Sequence, residues 1–291
     1  MFVDFNPGDM MYLNDFLYGK MEFPKIVAEL LATDALKRLS GVHQSGAIFL
    51  VNPDLNHTRL EHAIGVMMLI KQLGGSELEQ IAGLLHDVSH TAFSHVGDYV
   101  FGNLDENYHE LIFEQMILKS TIPEVLQKYG YHIDEIFNGQ FNILERALPN
   151  LCADRLDYTL RDGVYGGIIS RQRARSFLNS VTLSDGKIEV AIKEEADWIN
   201  AVYQQLNEEV FKLPVHVYAN GKMAELIREF MHTGFITEAD LFKTDTFLLN
   251  KIRSTLKGYD AIKSIKQLKG FAEYMRFGAV PKIKSRILQV G

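Results

Sequence analysis

The chain has 291 residues, 47% of them hydrophobic, enough to fill one large or two small domains with a sizeable core. Its net charge of −7 argues against a surface built for a nucleic-acid backbone, and its one cysteine, Cys152, excludes an internal disulfide and fits a reducing compartment. No apolar run approaches the ~18 residues of a membrane span, and the N-terminus lacks a basic region followed by an apolar one. A soluble, cytoplasmic protein is expected, with neither membrane nor nucleic acid among its partners.

The opening MFVDFNPGDMMYLNDFLYGK is aromatic and broken by Pro7 and Gly8, which suits an edge strand or an arm docked on the body. Pro24 is placed to open a helix, which Ile26, Leu30 and Leu31 continue at helical intervals. VHQSGAIFLV then reads as a loop followed by a strand-like run. From His57, the stretch HTRLEHAIGVMMLIKQL predicts a helix whose Leu60, Ile64, Met67, Met68 and Leu69 face the core. His62 falls in its early turns. Arg59 stands three residues before it on the same side, where a guanidinium would hold a phosphate bidentately or pair with Glu61 or another acid. His57 reads as a capping or surface residue.

The segment Ile81–Asp98 packs three histidines and two aspartates into eighteen residues. Its apolar start suits a buried helix, and His86 and Asp87 follow where that helix ends. Neighbouring side chains on a helix diverge by about 100°, so a helix end is where both can meet one ion. Histidine nitrogen and aspartate oxygen together do not choose the metal, and the dipeptide alone is weak evidence.

ENYHELIFEQMIL predicts a further helix with His109 near its start, and residues 121–150 read as short helices and turns punctuated by Pro123, Gly130 and Gly139. In LCADRLDYTLRDG, Asp154, Tyr158 and Asp162 are four residues apart and share one helical face. VTLSDGKIEVAI is two alternating runs joined at Asp185-Gly186, a hairpin at the rim of a helical core. Two more helices follow, one carrying Trp198, Val202 and Leu206, the other His216, Tyr218, Lys222 and Arg228. Charges such as Lys222 and Arg228 usually mark a solvated face. After Phe235 the motifs stop. Thr237 caps a helix, two amphipathic segments precede Pro281, and KIKSRILQV alternates like a strand. The periodicity predicts a mainly α protein with a small β-hairpin and minor peripheral strands. It divides into a core with an N-terminal arm over 1–235 and a C-terminal helical extension over 236–291 ending in a strand-like segment.

His62, His86-Asp87 and Asp154 resemble the H…HD…D signature of HD-domain metal-dependent phosphohydrolases. HDVSHTAFSHVGD, DRLDYTLRD and HTRLEHAIGV are similar to motifs of one branch, the deoxynucleotide triphosphohydrolases, which includes bacterial dGTPases. The resemblance runs from about Asp34 to Tyr218. It implies an HD-domain helical bundle in which His62, His86, Asp87 and Asp154 hold one divalent ion, with Mn, Mg, Fe, Ni and Zn all open. It implies hydrolysis of a dNTP to deoxynucleoside and triphosphate by attack of an activated water on the α-phosphate.

By the same resemblance His90, Asp98 and His109 form the catalytic set with Arg59, and Arg59 and Arg155 hold phosphates. His95 contacts phosphate or base, and Gln44 touches the deoxyribose. Tyr158 and Asp162 meet the sugar, Asp162 accepting from its 3′-hydroxyl, and Tyr218 lines the nucleotide. Two departures stand out. Ser45 replaces the leucine that in relatives crowds out a 2′-hydroxyl, and His216 and Tyr218 occur in the reverse of the family order. A homo-oligomer is expected, although the chain has little room for the C-terminal parts that shape assembly in longer relatives. Two alternatives stay open: a phosphohydrolase of the same fold acting on a monophosphate or on a cyclic or alarmone nucleotide, and a non-catalytic nucleotide-sensing module.

Overall fold

The computed structural model describes residues 3–5, 10–278, 280–281 and 287–290. The N-terminal segment forms β1 (Val3–Phe5), β2 (Met10–Asp15) and β3 (Gly19–Pro24), an antiparallel sheet in that order, so the arm is a sheet of its own; Pro7 and Gly8 lie outside the described residues. Pro24 does precede a helix, α1 (Lys25–Leu31), but the helix stops at Ala32, and Thr33 caps a second one, α2 (Asp34–Leu39).

The central element is α3 (Arg59–Gln72). Thr58 and Glu61 close a reciprocal capping box at its start, and ten of its fourteen residues are buried. A helix buried on all sides needs partners on all sides. It packs against α4 (Glu77–Leu85), begun by a second capping box from Ser76 and Glu79, and against α9 (Ala153–Tyr165). Between α4 and α9 run α5 (Val96–Phe101), α6 (Tyr108–Leu118), α7 (Ile122–Lys128) and α8 (Ile133–Phe137). Then come α10 (Arg171–Leu178) and the hairpin β4 (Val181–Ser184) and β5 (Lys187–Val190). The hairpin turns through Asp185 and Gly186, both at positive φ (48° and 71°), as a two-residue type I′ turn requires.

Helix α11 (Lys193–Leu206) runs into a π-helical turn at Asn207–Phe211 and is followed by α12 (Pro214–His232). The last described helices are α13 (Glu238–Leu241), α14 (Asp245–Arg253), α15 (Leu256–Lys266) and α16 (Phe271–Phe277). Residues from α14, α15 and α16 share a hydrophobic cluster with α5, α12 and Phe93 that is separate from the main core around α3. None of the described helices is long and apolar enough to cross a membrane.

Two strand expectations are corrected. The run after Gln44 is a 3₁₀ turn, Gly46–Leu50, with no strand among the described residues paired to it. Its Ala47 N–H is satisfied by Asn220 Oδ1 of α12 at 2.7 Å. Gly46 has φ 72°, and a Cβ there would lie 2.9 Å from Phe93 O, so only glycine fits this crossing. At the C-terminus, residues 282–286 lie outside the described residues and 287–290 form no strand; Val290 is instead tied by its N–H and C=O to the Asn200 side chain.

Candidate metal centre and active-site cleft

His62 projects from the buried face of α3. Its Nδ1–H donates to Asp157 Oδ2 at 2.8 Å, which turns Nε2 toward Asp154 Oδ1 at 3.0 Å and Asp87 Oδ2 at 3.7 Å. His86 ends α4, and its Nδ1–H donates to Gly83 O at 2.8 Å. That leaves His86 Nε2 buried and without a hydrogen-bond partner, 3.4 Å from Asp87 Oδ1 and 3.6 Å from Asp154 Oδ1. Each imidazole is thus fixed through one nitrogen and presents the other, as metal-ligating histidines do. Two imidazole nitrogens and two carboxylates converging around an unpartnered buried nitrogen fit a divalent ion.

The electrostatics agree. Burial alone would push Asp154 and Asp87 up, yet the hydrogen bond from His62 and the nearby imidazole of His86 hold Asp154 well below the carboxylate range, and Arg59, His86 and His90 do the same for Asp87. Burial would push His62 down, but its bonds to Asp154 and Asp157 prevail and hold it up at about 10. A proton on His62 therefore occupies the place an ion would take.

Behind His62 stands a buried ionic network built on Asp157 and Arg161, which lie in the DRLDYTLRD segment between Asp154 and Asp162. Asp157 accepts from Arg161 Nε and Nη2, both at 2.9 Å, and from Tyr18 OH at 2.7 Å, while Arg161 Nη1 reaches Asp15 at 2.9 Å. The N-terminal sheet segment therefore holds the carboxylate that orients His62, a candidate metal ligand. Gly65 makes room for this network, since a Cβ there would sit 2.2 Å from Asp157 Oδ1. Asp157→Asn is expected to weaken metal binding about 10- to 100-fold with all four ligands intact. A competitive metal titration, paired with a thermal melt, measures this.

Arg59 is buried. Its Nη1 donates to Asp87 Oδ2 at 2.7 Å and its Nε to Ser94 Oγ at 3.0 Å, whereas Glu61 is engaged by Thr58 and Tyr165. Its acid partner is thus Asp87. On the same side of the cleft, His90 and His109 stack with ring centroids 3.9 Å apart, and His95 stands edge-on to both. His95 Nδ1–H donates to Asp98 Oδ2 at 2.9 Å, and the Tyr108 N–H donates to Asp98 Oδ1 at 2.8 Å. Asp98 therefore buttresses His95 from behind. Burial pushes His109 down to about 3 and His90 well below the usual imidazole value, so both are neutral near pH 7.

Gln44, Tyr158 and Asp162 line the cleft together with Arg155. Asp162 accepts from His57 Nε2 at 2.5 Å, and His57 is 1% exposed, which corrects its reading as a surface or capping residue. Tyr158 OH meets Tyr203 OH at 3.1 Å. Arg155 Nη1 donates to the carbonyls of Arg146 and Asn150, while its Nε is buried without a hydrogen-bond partner.

Tyr218 does not reach the cleft. It is buried among Phe271 and Tyr274, with its OH donating to Lys269 O at 2.7 Å. The same helix lines the cleft through Val217 and Asn220 instead, one helical turn apart, and Lys222 pairs with Glu225 at 2.6 Å. Asn207 and Phe211, from the π-helical turn, also line it and carry no motif. Among the lining residues, seven carboxylates face the guanidinium groups of Arg59 and Arg155, and no lysine is present.

An HD-domain family model matches residues 59–162, which span the segment from Arg59 to Asp162 that builds this centre. The uncharacterised protein YdhJ of Bacillus subtilis is 45% identical over 247 residues, covering 84% of this chain and 76% of that protein. The metal-dependent phosphohydrolase cns2 of Cordyceps militaris is 29% identical over 239 residues, 79% of this chain and 69% of that protein. The deoxynucleoside triphosphate triphosphohydrolase SAMHD1 homolog of Dictyostelium discoideum is 29% identical over 264 residues, and the match spans about half, 49%, of that longer protein. A crystal structure of a hypothetical protein from Aquifex aeolicus shares the fold with a TM-score of 0.73 over 89% of this chain and 76% of that one, at 22% identity. The chain belongs to the HD-domain family. It is a metal-dependent phosphohydrolase of that family.

Proposed function

We propose that the chain hydrolyses deoxynucleoside triphosphates to deoxynucleoside and triphosphate. The observation that carries this reading is the single cleft in which the His62–His86–Asp87–Asp154 centre adjoins a histidine group on one side and a Gln44–Tyr158–Asp162 wall on the other. The activity named for the Dictyostelium relative supports it. His62, His86, Asp87 and Asp154 would hold a divalent ion, which would supply Lewis acidity and lower the pKa of a water near the α-phosphate. Gln44 and Tyr158 orient the nucleoside. Asp162, fixed by His57, accepts from the 3′-hydroxyl. Arg59 keeps Asp87 ionised and oriented, and the His90–His95–His109 group faces the leaving triphosphate.

A second reading, hydrolysis of a nucleoside monophosphate, is favoured by the charge balance of the cleft. Seven carboxylates and two guanidinium groups, Arg59 already bound to Asp87, are an unfavourable host for a triphosphate tail. Product analysis separates the two. The chain is incubated with Mn²⁺ or Mg²⁺ and each dNTP, rNTP and dNMP, and the products are resolved by ion exchange. Intact triphosphate from dNTPs is the expected result. Orthophosphate from dNMPs alone would move the assignment to the second reading. Ser45 also lines the cleft, and Ser45→Leu is expected to raise the dNTP to rNTP preference about tenfold by crowding a 2′-hydroxyl.

A further inference from the structure

We propose that Asn207 reads the nucleobase, its Oδ1 accepting a hydrogen bond from an exocyclic amino group, so that an amino base is preferred to its carbonyl counterpart; this rests on the nucleotide-hydrolase reading of the cleft. Asn207 lies where α11 passes without a break into the π-helical turn, is 4% exposed, and lines the cleft. Its Nδ2 donates to Tyr203 O at 2.7 Å. A backbone carbonyl only accepts, so the amino end of the amide must face Tyr203 and Oδ1 is left over. That oxygen is buried and has no hydrogen-bond partner among the described residues.

An asparagine here costs the scaffold more than it returns. It sits inside a helical run, where its side chain competes for backbone bonds, and it leaves a buried acceptor unmet. Tyr203 O does not depend on it, because the backbone N–H of Asn207 also reaches that carbonyl. The π-helical turn itself, closed by the Lys212 N–H on Asn207 O at 2.9 Å, is a register break of the kind that recurs at functional sites. Asn220, which also lines the cleft, differs. Its Oδ1 takes the Ala47 N–H and its Nδ2 donates to Ser45 O at 3.4 Å, so its amide is spent on the 3₁₀ turn.

The surroundings of Asn207 suit a base better than a phosphate. Ile48, Phe211 and Val217 line the same cleft, and Ile48 shares an apolar cluster with Leu206 and Val210, against which Phe211 and Tyr158 pack. Apolar walls with one fixed polar atom fit a flat ring with a polar edge. An acceptor repels a phosphate oxygen and calls for a donor. Cytosine and adenine present an amino group where uracil and hypoxanthine present a carbonyl, which would meet Oδ1 oxygen to oxygen. A site built to bond one group rejects the analogue that lacks it, because its own buried atom then stays unpaired.

The test compares dCTP with dUTP and dATP with dITP, by kcat/KM with Mn²⁺ and by calorimetric binding to the metal-stripped 291-residue chain. A preference of about tenfold or more for the amino member of at least one pair is expected. Asn207→Leu should bring that ratio to about one while its thermal melt stays level or rises, as removal of an unmet acceptor predicts. Asn207→Ala, which needs no added space, carries the test if the leucine variant fails to fold. Equal use of both members in both pairs, or a preference that survives in the variant, overturns the role of Asn207. The two readings fail separately. Nucleotide turnover without a base preference refutes only base recognition by Asn207. Binding that prefers the amino base, without turnover of any nucleotide, refutes the hydrolase reading and leaves the recognition standing.

Discussion

Asp154→Ala is expected to abolish hydrolysis and weaken metal binding while leaving the fold in place. Asp154 is the candidate ligand whose loss harms the scaffold least. Its side chain is 26% exposed, and it faces the two imidazoles that share the centre, His62 at 3.0 Å and His86 at 3.6 Å. At the start of α9 its charge also favours the helix dipole, a term of about 0.3–1 kcal/mol that bounds the stability cost on that account. Asp87 is a worse choice. Its removal would strand the Arg59 guanidinium, which is 4% exposed, and breaking a buried pair costs about 3–5 kcal/mol. A drop in activity in Asp87→Ala would then mix unfolding with lost chemistry. A bound ion would supply several kcal/mol of charge stabilisation at phosphorus, so turnover in Asp154→Ala should fall about a thousandfold or more. Steady-state turnover, metal content and a thermal melt on one preparation check the three parts together. Full turnover with unchanged metal content would place the reacting centre away from His62, His86 and Asp154.

What the chain reveals before folding is what is local. The starts of α3 and α4 are written as Thr58–Glu61 and Ser76–Glu79 capping boxes, the hairpin as Asp185-Gly186, and the shared face of Asp154, Tyr158 and Asp162 as a four-residue spacing. His86 and Asp87 do fall where α4 ends. The supports of the centre are long-range and leave no such mark. Asp15 and Tyr18 reach Arg161 and Asp157 across about 140 residues, and His57 is buried because Asp162 lies opposite it. Tyr218 shows how narrow the margin is on a helix. Consecutive residues turn by about 100°, so Val217 and Asn220 face the cleft while Tyr218, between them in sequence, faces the neighbouring cluster. The run after Gln44 has the composition of a strand, but among the described residues no strand pairs with it, and packing against α12 and Phe93 winds it into a 3₁₀ turn.

Asp245→Ala is expected to lower both stability and turnover although the residue lies outside every motif. Asp245 opens α14, is 1% exposed, and uses both carboxylate oxygens. Oδ1 accepts the Phe93 N–H at 2.6 Å, and Oδ2 accepts the His43 N–H at 2.9 Å and His43 Nδ1–H at 2.7 Å. Each donor stranded in the interior costs about 1–3 kcal/mol, so the loss should reach about 3 kcal/mol, a large share of a typical 5–15 kcal/mol. The effect on turnover follows from what these donors hold. Phe93 and Ser94 sit at φ 59° and 53°, strained for residues with side chains, and the Asp245 bond pins the first of them. Ser94 Oγ donates to His43 O at 2.6 Å and accepts from Arg59 Nε at 3.0 Å, and Arg59 in turn binds Asp87 at 2.7 Å. One chain of contacts therefore runs from a C-terminal helix to Asp87, a candidate metal ligand. Asp245→Asn should not rescue it, because both oxygens accept and an amide would turn its NH₂ toward an N–H. Denaturant unfolding should show both variants destabilised, with turnover per folded molecule reduced about tenfold, the magnitude of a displaced reacting group costing ~1.4 kcal/mol. If unfolding is unchanged in both variants, Asp245 is not the anchor of the loop that carries Phe93 and Ser94.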